Sequence, residues 1–170
     1  AVVISIGNIT VGGTGKTPTV EYLSKYLLAF GKTVVVLSRG YRRDSNEMLL
    51  VSDRETILVD SKLSGDEPYL LANNLKNVPI VVDKNRYHGG MYINDTFNPD
   101  YIILDDGFQH RKIRRDIDIV LVDCISGFGN HKILPSGILR EPLSGLKRAK
   151  VFIFTRTDQA QNIDSLKTQK

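Results

Sequence analysis

The sequence predicts an α/β fold: a mostly parallel sheet flanked by helices. Three observations carry this expectation. Short continuous runs of β-branched residues recur along the chain, helical patterns separate several of them, and a glycine-rich turn joins the first run to the first helical pattern.

Val2 to Ile6 is apolar at nearly every position, as in a strand buried on both faces of a parallel sheet. After the glycine-rich turn a helix is expected from Pro18, with Val20, Leu23, Leu27 and Phe30 on one face and Gly31 as its stop. Further buried-type strands are expected at Thr33 to Leu37, Ile80 to Val82, Tyr101 to Leu104, Ile117 to Val122 and Val151 to Phe154. Helical segments are expected near Glu67 to Leu75 and Leu143 to Lys150. Two regions break the alternation. Met48 to Ser52 and Thr56 to Val59, joined by Asp53-Arg54-Glu55, predict a small inserted β-hairpin. Ser126 to Pro142, rich in glycine and proline, predicts a long loop, and long loops in compact domains are usually functional.

A chain of 170 residues with 41% apolar and 25% charged residues supports one domain over 1–170 and gives disorder no compositional support. It opens at Ala1 directly on a strand, without a methionine or leader, which suggests a piece of a longer protein. The excess of 23 basic over 19 acidic residues suits an anionic partner. Nucleic acid is not expected, because the densest basic run, Arg111 to Arg115, lacks the interleaved aromatics that would stack on bases. No apolar stretch approaches the roughly 20 residues needed to cross a bilayer. Cys124 stands alone, so neither an internal disulfide nor a cysteine zinc site is expected.

The chemistry is concentrated between the first strand and the first helix. Val11-Gly12-Gly13-Thr14-Gly15-Lys16-Thr17 lies where backbone N–H groups and the positive end of a helix dipole converge on an anion. This is a P-loop, although Thr10 stands where the usual pattern has glycine. Lys16 is expected on the β- and γ-phosphates of a nucleoside triphosphate, and the Thr17 hydroxyl on Mg²⁺. The other half of such a site is an acidic residue ending an apolar strand, supplied by Asp105 and Asp106. Adjacent residues of a strand point to opposite faces, so one carboxylate is expected toward the metal and the other toward a neighbour or the metal from the turn. Ser64-Gly65-Asp66-Glu67-Pro68 reads as a helix start, with Ser64 and Asp66 as capping side chains. Thr155-Arg156-Thr157-Asp158 resembles a guanine-reading loop without its asparagine and lysine.

With these residues in view the chain resembles the tetraacyldisaccharide 4'-kinases of bacterial lipid A synthesis. The likeness rests on Gly7 to Pro18, Ser38-Arg39-Gly40-Tyr41, Gly65 to Pro68, Asp105-Asp106-Gly107-Phe108-Gln109-His110 and Leu134 to Pro142. It implies a P-loop NTPase-type fold and ATP on Thr10, Val11, Gly12, Gly13, Thr14, Gly15, Lys16 and Thr17. It also implies Mg²⁺ near Thr17 with Asp105 or Asp106, and Asp66 as an active-site carboxylate that supports the base. Arg39, Tyr41, Gln109, His110, Arg140 and Glu141 become candidates for handling phosphate and sugar. His110 is the base if none lies further along. The implied substrate is a lipid-linked glucosamine disaccharide, at a membrane surface on the cytoplasmic face of the bacterial inner membrane. Members of the family carry an apolar N-terminal segment and a C-terminal part that supplies a histidine. Here the chain starts at the strand and stops at Lys170, so a base beyond Lys170 is expected. The rival is a switch ATPase or GTPase of the partitioning or targeting type. Those proteins typically carry lysine where this chain has Val11.

Overall fold

A computed structural model describes residues 1–41 and 43–159; the end of the expected domain, 160–170, lies outside the described residues. The order is β1 (Val2–Gly7), α1 (Lys16–Ala29), β2 (Val34–Ser38), β3 (Leu49–Ser52), α2 (Ser61–Ser64), α3 (Asp66–Asn74), β4 (Ile80–Val82) and α4 (Arg86–Phe97). It continues through β5 (Tyr101–Asp105), β6 (Ile117–Asp123), a 3₁₀ helix at Leu143–Arg148, β7 (Val151–Thr155) and a short 3₁₀ turn at Thr157–Gln159. The seven strands form one sheet in the order β3-β4-β2-β5-β1-β6-β7, parallel except for β3 on β4.

Strand parity distributes the core over both faces. Ile4, Ile6, Val34, Val36 and Ile103 pack with Val20 of α1 and Leu71 of α3. The intervening Val35, Leu37, Ile102 and Leu104 pack on the other face with Ile93 of α4. Next to them Val120 and Val122 pack with Phe108, Phe128, Leu139 and Leu146, so the 126–142 loop closes that face with its own apolar side chains. Parallel strands covered on both faces are what the unbroken apolar runs require.

The structure corrects several expectations. The inserted hairpin is minimal: β3 joins the main sheet as its antiparallel edge, while the second arm pairs back on it through the Ser52–Ile57 bridge, with Asp53 N donating to the Thr56 carbonyl and Leu58 N to the Val51 carbonyl, without becoming a strand of the sheet. Helix α1 starts at Lys16, before Pro18, and Phe30 is 65% exposed instead of completing the buried face. Leu143–Arg148 is a 3₁₀ helix and not an α-helix. Helix α4 was not expected from the sequence because the pair Gly89-Gly90 interrupts its pattern. Glycine is needed at Gly89, where a Cβ would lie 2.9 Å from Leu37 Cδ1 and 3.0 Å from Asp83 Cβ. The lost helix propensity, about 1 kcal/mol per glycine, is offset by close packing on the sheet.

Candidate active site

The glycine-rich turn leaves β1 at its C-terminal end and enters α1 through Gly15, whose φ of 85° is favourable only for glycine. No side chain caps α1, so its first N–H groups remain available to an anion. Open space lies where side chains on Gly12 or Gly13 would stand. The turn is fixed from below by Asn8, fully buried, whose Nδ2 donates to Thr14 Oγ1 at 2.9 Å and whose Oδ1 accepts from Lys16 Nζ at 3.4 Å. Thr10 bridges to Leu139, and Val11 N donates to the Ile138 carbonyl, so the 126–142 loop buttresses the turn. This bridge explains threonine at the usual glycine position: Thr10 is in strand-like pairing and only 4% exposed.

The two carboxylates divide as strand parity requires. Leu37 pairs with Leu104, so the next residues, Ser38 and Asp105, project on one face, and Ser38 Oγ donates to Asp105 Oδ2 at 3.0 Å. Asp105 Oδ1 is buried with no hydrogen-bond partner among the described residues. Burial first, and then the Glu67 carboxylate, push the Asp105 carboxyl up to about 6, against relief from Ser38 and Lys16. Asp106 leaves the strand at φ 50°, a left-handed conformation that Asp tolerates better than most residues. Its carboxylate accepts from Arg140 Nη1 at 2.8 and 3.0 Å and stands 3.7 Å from Lys16 Nζ. Arg86, 2% exposed, donates to the main-chain carbonyls of Asp83 and Asp105 at 3.3 Å each, tying the ends of β4 and β5. Desolvation lowers its guanidinium to about 10, so it remains charged at neutral pH.

His110 lies beside this group with Nε2 buried and unpartnered among the described residues. Burial and the cations Arg86, Lys112, Arg115 and Arg39 hold its pKa below the ordinary value, favouring neutral imidazole. Arg39 and Tyr41 are exposed on the turn after β2. That turn packs on the start of α3, since a Cβ on Gly65 would lie 2.9 Å from the Tyr41 carbonyl. Asp66 is therefore held near Tyr41, exposed in the first turn of α3. The capping expectation fails: Gly65 is the N-cap, without a side-chain bond, while Ser64 Oγ donates to the Asp60 and Gly65 carbonyls. Gln109 and Glu141 are engaged internally: Gln109 Nε2 donates to the Asn8 carbonyl and to Glu141 Oε1, and Arg148 Nη2 donates to both Glu141 oxygens. Thr17 is half-buried in the first turn of α1. Asp158 is exposed, and Arg156 is turned away from it onto Asp123.

Asn8, Ser38 and Glu67, which lie in the quoted motifs without an expected role, join the site, as does Arg86, which the sequence did not suggest. Ser38 could have been found from parity with Asp105. Arg86 had no local signal, since its position follows from α4.

Arg140→Gln tests the grip on Asp106. Turnover is expected to fall about tenfold or more, the scale of a lost bidentate charge-assisted pair, while circular dichroism stays unchanged because Arg140 N still donates to the Ile9 carbonyl. Wild-type turnover in the variant would remove Arg140 from the catalytic arrangement.

The sequence profile of the LpxK family, tetraacyldisaccharide-1-P 4'-kinase, matches residues 1–170. The chain belongs to this family. The tetraacyldisaccharide 4'-kinase of Halothermothrix orenii is 51% identical over 156 residues, covering 91% of this chain and 40% of that protein. The corresponding protein of Geobacter sulfurreducens is 46% identical, over 91% of this chain and 44% of its own length. An LpxK structure from Aquifex aeolicus, described as an "apo" form in complex with ATP, superposes with a TM-score of 0.85 at 43% identity. The match covers 93% of this chain and 49% of that one. The chain thus spans less than half the length of these LpxK relatives.

Proposed function

We propose that this chain forms the nucleotide-binding domain of an ATP-dependent kinase that phosphorylates the 4'-hydroxyl of a tetraacyldisaccharide 1-phosphate in lipid A synthesis. The observation that carries the reading is the convergence of Lys16, Asp106 and the unpartnered oxygen of Asp105 at the mouth of a P-loop. Membership of LpxK, whose Aquifex aeolicus member is described in complex with ATP, supports it and disfavours a switch ATPase or GTPase.

The residues present fit Mg²⁺ bound with a triphosphate. Among the described residues no cluster of three or more His, Cys, Asp and Glu side chains is arranged for a metal. Mg²⁺ with a nucleotide needs fewer protein ligands, because phosphate and water oxygens fill most positions. Asp105 Oδ1, Asp106 and the Thr17 hydroxyl would hold it, and bound there it would neutralise charge on the phosphate oxygens. Lys16 places its ammonium against the β- and γ-phosphates, and the Thr10 to Thr17 main chain cradles them. Arg140 holds Asp106 in place through both carboxylate oxygens. Asp66 supports the group that takes the hydroxyl proton, and neutral His110 is the second candidate for that task. Arg39 and Tyr41 face the acceptor. Gln109 and Glu141 act on it indirectly, by fixing Arg140 through the loop. The lipid acceptor places the reaction at a membrane surface, on the cytoplasmic face of the inner membrane where ATP is available. No helix of the described residues is long and apolar enough to cross a membrane.

The test is transfer of label from γ-labelled ATP to a disaccharide monophosphate lipid in detergent by the intact protein, with GTP as competitor. Labelled lipid, with ATP preferred, is the expected result. Hydrolysis without transfer would favour the switch reading.

A further inference from the structure

We infer that Thr155 is a positioning residue for the P-loop: its hydroxyl, at the far end of β7, holds the Thr14–Gly15 peptide in the conformation that receives phosphate. The inference rests on the ATP-binding reading above. Of the two carbonyls in reach of Thr155 Oγ1, that of Thr14, 141 residues away in sequence, is the nearer acceptor at 3.2 Å, with that of Val122 at 3.5 Å. Thr155 Cγ2 lies 3.5 Å from where a Cβ on Gly15 would stand. Thr14 is 3% exposed, so water cannot readily replace that hydrogen bond.

Thr14 is gripped on both sides, through its hydroxyl by Asn8 of the β1 end and through its carbonyl by Thr155. The following residue, Gly15, is the uncapped entry to α1 with φ 85°. Rotation of the Thr14–Gly15 peptide would therefore move the first N–H groups of α1 and Lys16 behind them. The Thr155 carbonyl accepts from Cys124 N at 3.0 Å, and its neighbour Arg156, at φ 54°, donates from Nε to Asp123 Oδ1 at 2.8 Å. Asp123 also accepts from the Ile125 amide at 3.1 Å. The hydroxyl thus stands on a fixed post built from the ends of β6 and β7.

Thr155→Val removes the hydroxyl and keeps the shape, and Thr155→Ser restores it. The experiment is calorimetric titration with Mg-ATP on the unsubstituted protein and both variants, with thermal melts alongside. Thr155→Val is expected to bind about threefold to tenfold more weakly, the range of one partly buried hydrogen bond, with Thr155→Ser close to wild type. In the intact enzyme the same variant should raise KM for ATP while kcat stays within about twofold, since the hydroxyl touches no reacting atom. If the valine variant fails to fold, Thr155→Ala against Thr155→Ser makes the same comparison. A lowered melting temperature with unchanged ATP affinity, or loss in the serine variant equal to that in valine, would overturn the proposal. Absence of Mg-ATP binding by the unsubstituted protein would overturn the ATP reading itself.

Discussion

Lys16→Ala is expected to abolish detectable ATP binding while leaving the fold intact. The Lys16 side chain is 10% exposed, and its ammonium reaches Asn8 Oδ1 at 3.4 Å and Asp106 Oδ1 at 3.7 Å. Both partners keep other hydrogen bonds when it is removed. Asp106 stays on Arg140, and Asn8 stays on Thr14 and beneath Gln109. The ligand has no such replacement. A unit charge about 4 Å from a phosphate charge, in a partly screened site, is worth about 4 kcal/mol, or about a thousandfold in affinity. Calorimetry with Mg-ATP and a thermal melt check both halves. A variant that binds ATP like the wild type would remove Lys16 from the phosphate site.

How far the sequence could be read depended on whether each signal was local. The central strands were legible because a strand covered on both faces needs a nearly continuous apolar run, and β1, β2, β5 and β6 each carry one, interrupted only at Ser5 in β1 and Asp118 in β6 before the polar residues at the strand ends. The P-loop was legible because its glycines, its lysine and the flanking strand and helix are contiguous. Helix α4 was not, because its cause is long-range: Gly89 serves the approach to Leu37, and nothing in the neighbouring sequence announces that contact. The inserted hairpin is shorter than its sequence suggests for a related reason: β3 has an edge to join on β4, and a two-stranded ribbon closed at Ser52 and Ile57 is marginal without that sheet.

The carboxylate pair shows the same divide within the site. That Asp105 and Asp106 must point apart followed from pleat geometry. Which of them is buried could not follow, because it depends on Ser38 from one neighbouring strand and on Arg140 from a loop beyond β6. Gln109 and Glu141 came from the family resemblance as substrate-handling candidates. Their geometry also ties the β5 turn, the Asn8 carbonyl and Arg148 into one brace. The motif therefore preserves the shape of the site as well as its chemistry.

Asp105→Asn is expected to stabilise the protein at neutral pH while lowering turnover at least about a hundredfold. Asp105 is 1% exposed, and one carboxylate oxygen has no partner among the described residues. Burial, with Glu67 nearby, raises its pKa from 3.8 to about 6. A carboxyl raised on folding binds its proton more tightly in the native state than in the unfolded chain, so its favourable contribution is complete below about pH 3.8 and is lost as pH rises through about 6. The gap corresponds to about 3 kcal/mol by pH 7. Asparagine carries no charge to desolvate and keeps a carbonyl oxygen for the Ser38 hydroxyl, but it leaves its own amide short of an acceptor, at about 1 kcal/mol or more. The variant should therefore exceed the wild type by up to about 2 kcal/mol near pH 7, with the advantage shrinking as the pH is lowered through the 6 to 4 window. Turnover should move the other way, because asparagine offers Mg²⁺ a neutral and weaker ligand where charge on the transferring phosphate must be balanced. Denaturant melts of both proteins across that pH range, beside the label-transfer assay, provide the check. A stability difference that does not vary with pH would mean that Asp105 is not the buried ionised group. Unchanged turnover would remove it from the metal site.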